Sequence, residues 1–345
     1  MSNSSVFNDN ESNKDSRFQK NERLNQLISE MRELLTPAQE KVQQSLTENR
    51  WPVSFIVGNP RSGSTLLLQW LASTGQFSYP TNLLNRFAYA PYVGALIQNL
   101  LMDKTLDFNN ELSDIQSDVN FNSDLGKSSG ALATNEFQHF LRNHMANFDP
   151  EHLRNDLLAQ VDFKAIRQGL ASLEKAFEKP FTMKATMLQY NIEPLFGALP
   201  NSIFLYIYRN PLFIMQSIFT AREQYYNDRS IWWSVKPKEY EFLKEMDVYH
   251  QIAGQVYYTE QSISKSLNSL PQEHVMVIDY EALCAQPNVV FSELKAKYQN
   301  LGYEFTADFK SEPFNSNVSR KISKEDWNGL EKAYNDFSSE AIKLL

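Results

Sequence analysis

Between residues 53 and 72 the chain reads VSFIVG, then NPRSGST, then LLLQWLA. A short β-branched and aromatic run closed by glycine, a polar loop and a leucine-rich run make a strand, a loop and a helix. Few arrangements constrain a fold more tightly. A buried strand that feeds a helix through a glycine-bearing turn lets several backbone N–H groups converge at the helix N-terminus, where the helix dipole also favours an anion. The loop from Gly58 to Thr65 is therefore a candidate phosphate cradle, with Arg61, Ser62, Gly63, Ser64 and Thr65 as its lining.

The nucleotide triphosphatase form of such a loop is GxxxxGK followed by Ser or Thr. Here both glycines and Thr65 are kept, but Ser64 stands where the lysine belongs. That disfavours ATP with magnesium. A metal-assisted phosphoryl transferase also wants an acidic residue at the end of a neighbouring strand. The neighbouring candidate, IFLYIY at 203–208, instead runs straight into Arg209. A buried strand ending in arginine needs an anion partner, because an unpaired guanidinium near a core is costly. Asn210 and Pro211 follow, Pro211 fits a first helical turn, and Ser217 lies eight residues beyond Arg209. Two anion sites on separate strands do not match a linear triphosphate.

Two further runs read as buried strands, FTMKA at 181–185 and VMVI at 275–278, and helical stretches separate all four. Helical spacing is expected over 24–46, 132–148, 151–177 and 238–267. Alternation of this kind predicts a parallel sheet covered on both faces, an α/β three-layer sandwich. We expect a polar lead over 1–20, then one domain over 21–345 with an Asn-, Asp- and Ser-rich insertion near 103–130 that shapes substrate choice.

The formal charge of −8 argues against a broad electropositive surface for nucleic acid, so any anion site must be local. Cys284 is the only cysteine, which leaves no intramolecular disulfide and no cysteine-based metal site. The lead lacks the pattern of a secretory signal or a transit peptide, and no run of about 18 apolar residues occurs. These features predict a cytoplasmic protein without a membrane span.

GNPRSGSTLLLQWL resembles the 5'-phosphosulfate loop of the sulfotransferases that use PAPS (3'-phosphoadenosine 5'-phosphosulfate), in the branch that writes it PRSGTT or PRSGST. The resemblance runs in motif order from Pro52 to about Leu301. It implies the P-loop nucleotide-kinase-like sulfotransferase fold, PAPS as donor, PAP as product and no required metal. By it, Arg61 to Thr65 hold the 5'-phosphate, Arg209 and Ser217 hold the 3'-phosphate, and Arg320-Lys321 is a candidate for a further basic loop. The implied activity is transfer of a sulfuryl group to a hydroxyl or amine, with a carbohydrate or small molecule favoured as acceptor. A kinase-like phosphoryl transferase and a catalytically inactive PAPS- or PAP-binding protein are the alternatives.

In-line transfer needs a base for the acceptor proton and nearby cations. In one branch of the family a glutamate just after the second strand serves, but residues 79–83 read YPTNL, with no carboxylate. Glu136, in a stretch similar to an Asn-Glu-Phe segment of bacterial members, is the substitute. His139, three residues on, is placed to orient or replace it. Lys184 lies inside the apolar strand FTMKA, where a lysine must reach a cleft or an acid, and the family often has a site lysine there. Trp232-Trp233 and Asp279-Tyr280-Glu281 are assigned to packing and structure.

Overall fold

A computed structural model of the chain describes residues 21–46, 48–116, 123–124, 127–147 and 149–339. The expected polar lead, part of the insertion and Phe148 lie outside the described residues. Four strands, β1 (Val53–Val57), β2 (Thr182–Lys184), β3 (Ser202–Tyr208) and β4 (Val275–Asp279), form one all-parallel sheet in the order β2-β1-β3-β4. The sheet divides two cores, as successive side chains on a strand must point to opposite faces. Val53, Phe55, Val57, Met183, Phe204 and Tyr206 enter one, and Ile56, Ile203, Leu205, Ile207, Met276 and Ile278 enter the other.

Helices cover both faces. Those used below are α1 (Glu22–Gln43), α2 (Ser64–Ser73), α3 (Pro91–Met102), α4 (Gln138–Arg142), α5 (Phe163–Phe177), α6 (Pro211–Tyr226), α7 (Val248–Asn268), α8 (Tyr280–Ala285) and α9 (Lys324–Ser338). A third core joins α6, α7 and α9 through Ile214, Ile218, Ile252, Val256, Leu330 and Phe337. Trp232 packs with it, edge-on to Tyr240 at 4.8 Å.

Three expected helices are shorter or divided. The periodic stretch 132–148 yields only α4. Asn135 Oδ1 accepts from the Phe137 backbone N–H, and Phe137 takes φ 54°, so the chain ahead of Gln138 is turned out of helical geometry. The stretch 151–177 divides into Asn155–Leu158 and α5, with Asp162 capping Ala165. The stretch 238–267 divides because Asp247 accepts from Tyr249 N and His250 N and restarts the helix as α7.

From 103 to 130 the described residues hold a turn at Phe108–Asn110 and an antiparallel pair, Ser123–Asp124 with Lys127–Ser128. The pair is fastened at its base: Gln69 Nε2 on α2 donates to Ser128 Oγ at 2.8 Å, and Asn82 Nδ2 donates to Ser128 O at 2.8 Å.

Candidate active site

β1 and β3 are adjacent and parallel, Val57 beside Tyr206, so the loops that leave them emerge at the same sheet edge. Carboxyl ends of strands where the chain's winding changes direction form the crevice in which such sheets bind ligands. The first loop curls there around Ser62, whose side chain is buried and whose Oγ has no hydrogen-bond partner among the described residues. A buried hydroxyl in that condition is a donor that an anion would satisfy. α2 then begins at Ser64 with no acidic residue in its first turn. Gly63 precedes it at φ 103° with the Tyr280 ring against its open side, so a Cβ there would clash.

The two anion motifs meet in space. Arg61 Nε donates to Ser217 Oγ at 2.8 Å, and Arg209 NH1 donates to Arg61 O at 3.3 Å. Arg61 holds a left-handed backbone, φ 68°, a conformation that a non-glycine residue keeps only when its surroundings fix it. Arg209 is buried, with its guanidinium 4.3 Å above the Tyr280 ring and its Nε 3.8 Å from Glu281 Oε1. Its NH2 donates to the Asn317 carbonyl. Gln216 binds the same segment, donating to Ser319 O at 3.0 Å and accepting from Lys321 N. The segment from Asn317 to Lys321 therefore lies against the second anion motif, while the Arg320 side chain is exposed.

Lys184 places a cation beside the loop whose P-loop lysine position is held by Ser64. Met183 turns into the core on one face of the sheet, so Lys184 turns to the other, towards α2. Its Nζ donates to Thr65 Oγ1 at 2.7 Å and lies 3.0 Å from Glu136 Oε1. The lysine side chain is 5% exposed and the glutamate side chain 42%. A buried ammonium thus joins the loop to a carboxylate that opens on solvent, the arrangement expected of a cation and a base beside a shared reaction zone.

Residues 79–83 carry no carboxylate, yet they bring one. Thr81 pairs with Thr134 in an isolated antiparallel bridge, Asn135 N donates to Pro80 O at 2.8 Å, and Asn82 N donates to Ala133 O at 2.9 Å. Asn135 Nδ2 also donates to Asn82 Oδ1 at 2.9 Å. Glu136 is the next residue, so it is delivered to the site by the segment that pairs with the empty position.

Over residues 52–306 the chain matches the model of the sulfotransferase family. The chain belongs to that family. The fold agrees with that of sulfotransferase STF9 from Mycobacterium avium, with a TM-score of 0.50 at 14% identity, covering 89% of this chain and 81% of that one. Sulfotransferase STF1 from Mycobacterium tuberculosis is similar at 15% identity over 90% of this chain and 78% of that one, with a TM-score of 0.48. A sulfotransferase domain from the curacin biosynthetic pathway is similar at 18% identity over 79% of this chain and 82% of that one, with a TM-score of 0.43. No curated protein matches.

In this sulfotransferase the structure gathers Arg61, Ser62, Gly63, Ser64, Thr65, Lys184, Arg209, Ser217 and Glu136 at one sheet edge. His139 stays apart from that group. It is exposed, and among the described residues it makes no hydrogen bond or ion pair with Glu136. Its pKa is lowered, first by partial desolvation and then by Arg142 and Arg86. The partner that Glu136 does have on its own segment is Gln138, whose Nε2 donates to Oε2 at 2.7 Å.

Sequence reading passed over Gln138 and Asn317, and assigned Tyr280 and Glu281 to structure, whereas both lie against Arg209. Only Glu281 carried a signal, a carboxylate beginning the helix after a strand, and that signal equally describes a helix end. Among the described residues no helix is long and apolar enough to cross a membrane.

Proposed function

We propose that this sulfotransferase takes its sulfuryl group from PAPS and places it on a hydroxyl or amine, a carbohydrate or small molecule, in the cytoplasm. The observation that carries the reading is the meeting of two anion motifs, Arg61 with Ser217 and Arg209 with the Arg61 carbonyl, at the mouth of a loop whose Ser62 hydroxyl has no partner among the described residues. Such a site fits a ligand with two phosphate groups on one nucleoside.

The loop N–H groups and the hydroxyls of Ser62, Ser64 and Thr65 would hold the 5' end, and Arg209 and Ser217 the 3'-phosphate. PAPS, when bound, supplies an activated sulfuryl group on a phosphate leaving group. Lys184, fixed by Thr65 and Glu136, provides positive charge beside the place where the leaving oxygen develops its negative charge. Glu136 takes the acceptor proton at a carboxylate oxygen, on the solvent-facing side from which an acceptor enters.

Calorimetric titration with PAP, beside ATP with magnesium, tests the donor. We expect PAP to bind the wild type, ATP to bind at least a hundredfold more weakly by the loss of charge-assisted contacts, of order 10², and Arg209→Ala to weaken PAP. Preference for ATP with magnesium would transfer the site to a phosphoryl donor.

A further inference from the structure

Five side chains stand in an unbroken hydrogen-bonded line that runs outward from the loop. Thr65 Oγ1 accepts from Lys184 Nζ at 2.7 Å, and the same ammonium reaches Glu136 Oε1 at 3.0 Å. Glu136 Oε2 accepts from Gln138 Nε2 at 2.7 Å, and Gln138 Oε1 accepts from Arg142 NH2 at 2.9 Å. We propose that Gln138 and Arg142 are positioning residues for the Glu136 carboxylate, acting on sulfuryl transfer through Glu136 without touching donor or acceptor. The proposal rests on the reading of Glu136 as the base.

The local backbone is what makes the contact. Residues two apart do not face each other on a helix. Phe137 is left-handed, however, and Gln138 is the first residue of α4, so Glu136 is turned back over the helix start and meets the amide. Lys184 donates to one carboxylate oxygen and Gln138 to the other. Donors on both oxygens fix the plane of the group, and a carboxylate oxygen has room for more than one hydrogen-bond partner.

Arg142 sets the direction of the amide. A guanidinium only donates, so it can face only the amide oxygen, and Nε2 is thereby aimed at Glu136. Without Arg142 the amide is free to turn its oxygen to the carboxylate, where two acceptors would repel. Arg142 also makes an ordinary i, i+4 contact on α4, so a purely structural role must be separated from a positioning one by the test.

A hydrogen bond to the charged form of a carboxylic acid holds its titration midpoint down. Among the described residues, charged groups that face Glu136 include Lys184 on β2 and Arg142 on α4. The protein labelled with ¹³C at glutamate Cδ reports Glu136 directly, its resonance being assigned by disappearance in Glu136→Gln. We expect Gln138→Ala to raise the Glu136 midpoint by about one pH unit. Arg142→Ala should raise it by less, and Arg142→Lys should restore most of the effect. In the same variants, release of PAP from PAPS with water as acceptor should fall about tenfold or more, while PAP binding stays within twofold.

An unchanged Glu136 midpoint in a folded Gln138→Ala protein overturns the proposal, and so does an unchanged rate of PAP release. Should Glu136→Gln itself release PAP at the wild-type rate, the base reading fails instead, and the titration shift still reports whether Gln138 holds the carboxylate.

Discussion

Lys184 has two partners in a strand that is otherwise apolar, and each explains the other. Thr65 brings the ammonium to the loop, and Glu136 balances its charge where the side chain is nearly buried. Replacing it with methionine keeps an unbranched side chain one atom shorter and removes the cation. Because Glu136 is half open to water, it can lose its partner without becoming a buried orphan charge. We therefore expect Lys184→Met to fold, to bind PAP within about tenfold of wild type, and to release PAP from PAPS about 10²- to 10³-fold more slowly. A rate within threefold of wild type would remove Lys184 from the reaction. Lys184 was legible in the sequence because a charge inside a β-branched and aromatic run has so few outlets. Gln138 was not, since an amide two residues from a carboxylate signifies nothing until Phe137 is known to be left-handed.

The elements that sequence reading placed best are those buried on both sides. Residues 53–58 and 203–208 coincide with β1 and β3 to within a residue, because continuous apolar runs of that length fit a covered parallel strand. Residues 132–148 failed for the converse reason. Their apolar side chains are indeed buried, Phe137, Phe140 and Leu141 among them, but an asparagine hydrogen bond to the backbone competes with the helix ahead of Gln138.

The chain leading into β1 is held by Glu174 of α5, which is 1% exposed and accepts from Arg50 N at 2.9 Å. Burial raises the Glu174 pKa to about 8, outweighing hydrogen bonds from Asn49, Arg50 and Trp51. The folded state therefore keeps a proton that the unfolded chain has lost, and stability falls as pH rises from the usual glutamate range towards 8, by at most about 1.4 kcal/mol per pH unit. Thermal unfolding of wild type and Glu174→Gln between pH 5 and 8 should diverge. Wild type should lose ground to the variant as pH rises, and parallel curves would mean that Glu174 is ionised in the fold.

At the scale of the whole molecule, an acidic protein of net charge −8 concentrates Arg61, Arg209 and Lys184 at one sheet edge. The strand order makes this happen. β1 lies between β2 and β3, so the loop after β1, the lysine at the end of β2 and the arginine after β3 open on one crevice. The motifs were legible separately because each is local. Their contact was not, because Arg61 and Ser217 lie 156 residues apart, and neither was the closure of the Asn317 to Lys321 segment onto Arg209.

In the proposed function, the two anion motifs serve the two ends of one nucleotide. It is tested most directly by comparing the affinities of PAP and adenosine 5'-phosphate, which lacks the 3'-phosphate, in wild type and Arg209→Ala. Wild type should prefer PAP by about 10²-fold or more, as loss of charge-assisted hydrogen bonds would give, and the preference should collapse to within a few-fold in the variant. A preference that survives Arg209→Ala undiminished would contradict it.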